Sequence, residues 1–189
     1  MFNLAVFASG NGSNAENIIK YFKPNNRARV KLVASNKNSA KVITKSGKLG
    51  VPTILFSKKD LENGSLLDQL QNYKIDFIIL AGFLLKVPKE ILNFYKNKVV
   101  NIHPSLLPKY GGSGMFGSNV HQAVYNSKDG ETGITIHYVN EEYDKGNIIF
   151  QAKCELKKKE SVKQIEKKVH KLEIRFYPII IESLLNELY

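Results

Sequence analysis

The chain has 189 residues, 43% of them apolar, and its 28 basic and 17 acidic side chains give a formal net charge of +11. That length fits one domain and that apolar share supports a buried core, which excludes a disordered tail and a disulfide-stapled miniprotein. The charge invites a nucleic-acid reading, but only Arg27, Arg29 and Arg175 carry the planar fork suited to bases and phosphates; the rest is lysine, the generic solvated cation, in a chain with 18 asparagines.

In chain order, residues 2–8 form an apolar strand. The segment is short, lacks a basic leader and runs into glycines, so it reads as a buried strand and not as a signal peptide. Residues 14–22 predict a helix stopped before Pro24. Residues 29–34 predict a strand, 39–49 a helix closed by Gly50, 53–56 a short strand and 60–72 a helix. Residues 76–81 are a near-continuous apolar strand, as expected where both faces are covered. A helix begins near Pro88, and 98–101 is again a strand. A long loop (104–118) precedes a short helix (119–127). Residues 133–139 and 148–156 read as an antiparallel strand pair around an acidic turn. A long helix from Ser161 to Leu188 has Pro178 as a point of kinking or breakage.

Strands separated by helix-length segments give an α/β fold: a doubly wound, mostly parallel sheet, with an antiparallel C-terminal strand pair and a long C-terminal helix. No repeat, low-complexity linker or domain boundary stands out. The single Cys154 excludes an internal disulfide and a multi-cysteine zinc site. No apolar run approaches the ~18 residues that span a bilayer, and a cytoplasmic protein is expected.

Three motifs carry chemistry. Ser9-Gly10-Asn11-Gly12-Ser13-Asn14 follows the first strand and opens the first helix. Glycines there allow a tight turn with exposed N–H groups, and the helix start adds partial positive charge, so the loop suits a phosphate. No Gly-Lys-Ser/Thr follows, and neither the third glycine nor the acidic residue of a dinucleotide site is present, which disfavours a nicotinamide cofactor. Asn101-Ile102-His103-Pro104 lies at the exit of a parallel strand, where open α/β sheets bind ligands. Two residues apart, Asn101 and His103 share a face. An amide beside an imidazole can hold an oxyanion and shuttle a proton. His121 and His137 add polar candidates without enough carboxylates for a metal site. Last, Asn140-Glu141-Glu142-Tyr143-Asp144-Lys145-Gly146 joins the final strands; it has ordinary turn composition, but Asp144 could face His103 and favour its cation.

In this order the motifs resemble the phosphoribosylglycinamide formyltransferase family of folate-dependent enzymes. The likeness spans essentially the whole chain, and residues 101–110 match its most specific segment nearly letter for letter. It implies a Rossmann-like formyltransferase fold in one domain, 1–189, with a phosphate-binding half (about 1–100) and a catalytic, folate-binding half (about 101–189). It also implies direct formyl transfer from 10-formyltetrahydrofolate to phosphoribosylglycinamide, with small-molecule partners, no metal, no nucleic acid and no membrane. By resemblance Asn101, His103 and Asp144 are catalytic. Gly12, Ser13, Asn14 and Glu173 bind the ribonucleotide. Leu84, Leu85, Lys86 and Val87, with Asn101, Asn140, Glu141, Glu142, Tyr143 and Asp144, hold the folate. The chain departs from the family in its longer, glycine-rich 110–118 loop, in Asn147 where proline is usual, and in Leu85 where a basic residue is common. The alternatives are another folate-dependent formyl enzyme and, from a different class, a basic nucleic-acid-binding module. Methionyl-tRNA formyltransferase would add a C-terminal domain and formyltetrahydrofolate deformylase an N-terminal one, for which this length leaves no room. The nucleic-acid module would interleave arginines and aromatics on one face.

Overall fold

A computed structural model describes residues 1–188. The order is β1 (Phe2–Phe7), α1 (Ser13–Phe22), β2 (Ala28–Ser35), α2 (Lys41–Lys48), β3 (Thr53–Leu55), α3 (Lys58–Glu62), α4 (Ser65–Asn72), β4 (Phe77–Leu80), α5 (Lys89–Phe94), β5 (Val99–His103), α6 (Ser118–Ser127), β6 (Glu131–Tyr138), β7 (Ile148–Glu155) and α7 (Val162–Glu187). The strands follow the order β3-β2-β1-β4-β5-β6-β7. The chain divides into two compact units, one up to Val100 and one from Asn101 onward.

In the first unit β1 pairs in parallel with β2 on one side and β4 on the other, and β3 extends β2 in parallel. Leu4 to Ala8 are wholly buried, as are Ile78 and Ile79, which explains why these strands read as unbroken apolar runs. Each of the larger of these side chains, Leu4, Val6, Phe7, Ile78 and Ile79, contributes on the order of 1.5–3 kcal/mol by leaving water. The chain winds from β1 outward to β3 and then returns to β4 on the other side. The loops leaving β1 and β4 therefore face each other at the point where the winding reverses, the place where open α/β sheets hold ligands.

The single helix predicted over 60–72 is two. Ser57 and Asp60 form a capping box that starts α3 early, at Lys58, and α4 restarts at Ser65 after Gly64, whose φ of 88° is left-handed. The Asn63-Gly64 pair is a local stop that hydrophobic periodicity alone does not register.

In the second unit β6 and β7 are antiparallel, with Gly133 opposite Lys153 and Thr135 opposite Gln151. A Cβ on Gly133 would collide with Ala152 O and come within 2.8 Å of the Leu106 side chain, so only glycine lets that loop residue lie on the strand. Helix α7 starts at a Ser161–Gln164 capping box and runs unbroken through Pro178. Tyr177, Pro178, Ile181, Leu184 and Leu185 are buried around it, and that packing holds the helix where proline alone would interrupt it. Helix α6 packs on α7, and α7 on β6 and β7.

Candidate active site

The second unit assembles a polar cluster at the exit of β5. His103 is 3% exposed. Its Nε2–H donates to Tyr110 O at 2.7 Å, and its Nδ1 lies 3.4 Å from Asp144 Oδ2. A carbonyl and a carboxylate both only accept, so these two partners are satisfied together by an imidazole protonated on both nitrogens. Asp144 sits in the β6–β7 connection with a left-handed φ of 57°, a conformation an aspartate tolerates. Its Oδ2 also accepts from Gly112 N at 2.9 Å. Burial by itself would raise the Asp144 carboxyl. The hydrogen bond from His103, the His103 charge and the Gly112 N–H outweigh it and hold the group far below the usual carboxylate range.

His137 closes the cluster. Its Nδ1–H donates to Tyr138 O at 2.8 Å, which leaves Nε2 to accept from Asn101 Nδ2 at 3.2 Å. The same Nε2 is 3.7 Å from Asp144 Oδ1. Asp144 thus stands between two histidines, one beside its own carboxylate and one that orients the Asn101 amide.

The loop carrying this chemistry is anchored from beneath by Thr135. The Thr135 hydroxyl donates to Ser105 O at 2.7 Å and accepts from Leu107 N and from Gln151 Nε2, each at 2.9 Å. Ser105 Oγ donates to Lys109 O at 2.6 Å. A Cβ on Gly111 would meet Leu107 Cδ2 at 2.5 Å and Asp144 Cβ at 3.3 Å, so a side chain there would displace the Leu107 tip and crowd Asp144.

The first unit carries the glycine loop. Gly12, with φ of 73°, is the N-cap of α1; Ser13 is already helical. A Cβ on Gly12 would lie 2.5–2.8 Å from Val42, including its Cα. Val42 N in turn donates to Gly10 O. The backbone is held close to α2, and α1 starts directly from it, which puts the positive end of the helix at this loop. Ser9 ties three loops together. Its hydroxyl donates to Asn36 Oδ1 after β2 at 2.6 Å and accepts from Leu84 N after β4 at 3.1 Å, and Ser9 N donates to Gly82 O at 3.0 Å. Phe83 packs edge-on to Phe7, with ring centroids 5.5 Å apart, which fixes the start of segment 84–87. Among the described residues the peptide groups of Leu85, Lys86 and Val87 take no hydrogen bond within the chain, so they remain available to a flat heterocycle.

Of the residues singled out from the sequence, the structure brings Asn101, His103 and Asp144 together, and joins the Gly12 loop to the 84–87 segment through Ser9. Asn140, Glu141, Glu142 and Tyr143 form the exposed rim before Asp144; Glu142 N donates to Asn140 Oδ1, and Glu142 pairs with Lys145. Glu173, on α7, accepts from His170 at 3.0 Å. Sequence reasoning left His137 without a role and missed the backbone of Tyr110 and Gly112 altogether. His137 was open to discovery, since it precedes the Asp144 turn in the same strand pair. Among the described residues no group of three or more His, Cys, Asp or Glu side chains is disposed to hold a metal ion.

A buried amide–imidazole–carboxylate cluster at a strand exit in one unit, and a phosphate-suited glycine loop in the other, are features of an acyl-type transferase. Residues 2–181 match the model of the formyl transferase family. The chain is 37% identical to a phosphoribosylglycinamide formyltransferase of Bacillus subtilis, over 98% of this chain and 96% of that protein. It is 35% identical to the chloroplastic phosphoribosylglycinamide formyltransferase of Vigna unguiculata, over 97% of this chain and 61% of that longer protein. The solved structure of glycinamide ribonucleotide transformylase 1 from Geobacillus kaustophilus superposes with a TM-score of 0.89 at 36% identity, covering 98% of this chain and 99% of that one. The chain belongs to the phosphoribosylglycinamide formyltransferases, folate-dependent enzymes of purine biosynthesis.

Proposed function

We propose that the protein transfers the formyl group of 10-formyltetrahydrofolate to the amine of 5′-phosphoribosylglycinamide, giving formylglycinamide ribonucleotide and tetrahydrofolate. The substrate nitrogen forms a bond to the formyl carbon, and the carbonyl electrons move onto oxygen. Collapse of that oxyanion breaks the bond to N10 of the folate, and the proton lost by the amine ends on N10. The observation that carries this reading is the doubly partnered His103 beside Asn101. An imidazolium held by Asp144 and a side-chain amide oriented by His137 are two donors suited to an oxyanion that forms only during the reaction.

In this reading the Nε2–H now accepted by Tyr110 O is the donor the oxyanion takes. Asp144 keeps His103 charged and helps relay the proton from the amine, directly or through water. The helix start at Gly12, Ser13 and Asn14 holds the substrate phosphate, and Glu173 accepts from its ribose. The free peptide groups of Leu85, Lys86 and Val87, following Leu84, hydrogen-bond the pterin, and Asn140 to Tyr143 also contact the folate. Both units, residues 1–100 and 101–189, serve this one reaction as a single formyltransferase domain. The test is amine dependence: tetrahydrofolate formation from 10-formyltetrahydrofolate requires phosphoribosylglycinamide. Release of tetrahydrofolate and formate from the donor and water alone, at an equal rate, would instead mark a deformylase.

A further inference from the structure

Ser9 opens the glycine loop, yet its hydroxyl is closed to a phosphate. The residue is 5% exposed, and the one proton on Oγ goes to Asn36 Oδ1 at 2.6 Å. A hydroxyl has a single proton to give, so what remains at Oγ is acceptor capacity, which suits an N–H and not an anion. The N–H it takes is that of Leu84, at 3.1 Å. Ser9 N also donates to Gly82 O at 3.0 Å, so this one residue grips the turn after β4 on both sides of Phe83. The Leu84 N–H immediately precedes the free peptide groups of Leu85, Lys86 and Val87, and its direction sets how that run begins.

We propose that the Ser9 hydroxyl is a positioning group for the formyl donor: through Leu84 N it aligns the peptide groups of 85–87 toward the pterin, although its place in the sequence is the phosphate loop. This rests on the reading that 85–87 hold the pterin. Two features separate this role from plain support of the fold. Phe83 is held by other rings, with centroids 5.5 Å from Phe7 and 6.0 Å from Phe56, so the segment keeps its place without Ser9 Oγ and loses only the alignment of the peptide that follows. The phosphate loop has its own anchors, Val42 N on Gly10 O at 3.2 Å and Glu16 N on Gly12 O at 2.9 Å, neither of which involves the hydroxyl.

The experiment measures KM for each substrate, kcat and Tm in Ser9→Ala, Ser9→Thr and Asn36→Ala. Alanine at position 9 removes the acceptor of Leu84 N, and threonine keeps it. Asn36→Ala leaves that acceptor but frees the proton that directs it. For Ser9→Ala, KM for 10-formyltetrahydrofolate should rise about 3- to 10-fold, as expected for one lost hydrogen bond, while KM for phosphoribosylglycinamide and kcat stay within about 2-fold. Ser9→Thr should recover most of the loss, and Asn36→Ala should show a smaller rise with the same selectivity. A rise confined to phosphoribosylglycinamide would give the hydroxyl to the phosphate loop and overturn the proposal. Equal rises for both substrates, or a lowered Tm with no rise in either, would mark a purely structural tie and overturn it too. If Ser9→Ala does not fold, Asn36→Ala decides by the same selectivity. Lys86→Pro separates this inference from the reading beneath it, since it deletes one of the N–H groups assigned to the pterin. A raised KM for the formyl donor in Lys86→Pro, with indifferent Ser9 and Asn36 variants, refutes this inference alone. An unchanged KM in Lys86→Pro refutes the placement of the pterin and the inference with it.

Discussion

Replacing Asp144 by asparagine removes one charge and little else. Asparagine tolerates the left-handed backbone at this position, and its Oδ1 can still accept from Gly112 N. That oxygen takes the place of Asp144 Oδ2 and so also faces His103 Nδ1, while Nδ2 takes the place of Oδ1 beside His137 Nε2. The imidazole would keep the Nε2–H given to Tyr110 and lose the carboxylate charge that faces its Nδ1. Opposite charges 3.4 Å apart interact by about 5 kcal/mol at an effective dielectric near 20. Part of that is offset by desolvation of the buried pair, so the loss felt by the transition state should be about 3–5 kcal/mol. The predicted effect of Asp144→Asn is a fall in kcat on the order of 10²–10⁴-fold, with KM for either substrate changing much less. Steady-state kinetics with both substrates varied measures it, beside His103→Ala, for which a loss of similar order is expected. A kcat within a few-fold of the unaltered enzyme in either variant would refute the assigned roles.

Gly12→Ala should cost about 2–4 kcal/mol of stability in urea unfolding, from the left-handed φ and the contact with Val42, and should raise KM for the phosphoribosyl substrate without raising that for the folate. Thr135→Val removes the hydroxyl that Leu107 N, Ser105 O and Gln151 share and should cost about 2–4 kcal/mol by the same assay, because the donors and acceptor left behind stay buried. Because the folded Asp144 carboxyl lies below its unfolded value of about 3.9, its contribution to stability is complete above that value and is lost as pH falls toward the folded pKa. Thermal unfolding between pH 6 and pH 2 should therefore show a shallower acid decline of Tm in Asp144→Asn than in the unaltered protein. Residues 20–59 contain 11 basic and no acidic side chains. If their field recruits the anionic substrates, kcat/KM should fall as salt rises while kcat holds; a flat salt profile would leave the lysines with no part in substrate capture.

The order of strands and helices was legible because each buried parallel strand is a short apolar run and each helix carries its own start and stop. Gly64 and Pro178 were read less well, and for opposite reasons. At Gly64 a local signal acts against the periodicity and divides the helix. At Pro178 a local signal is overridden by the packing of Tyr177, Ile181 and Leu184. The Asn101, His103 and Asp144 side chains could be picked out because side-chain chemistry and spacing are written in the sequence. The Tyr110 carbonyl and the Gly112 N–H could not, since every residue has those groups and only the folded loop selects them. Thr135 was invisible for a related reason: a threonine in a strand is ordinary until three partners converge on its hydroxyl.

The central claim is that the formyl carbon passes directly from the folate to the substrate amine. Supplying 10-formyltetrahydrofolate labelled with ¹³C in the formyl group, together with phosphoribosylglycinamide, and analysing the products by mass spectrometry tests it directly. The expected result is one labelled carbon in the ribonucleotide product for each tetrahydrofolate released, with no labelled formate. Label recovered as formate, with the ribonucleotide unlabelled, would contradict the account.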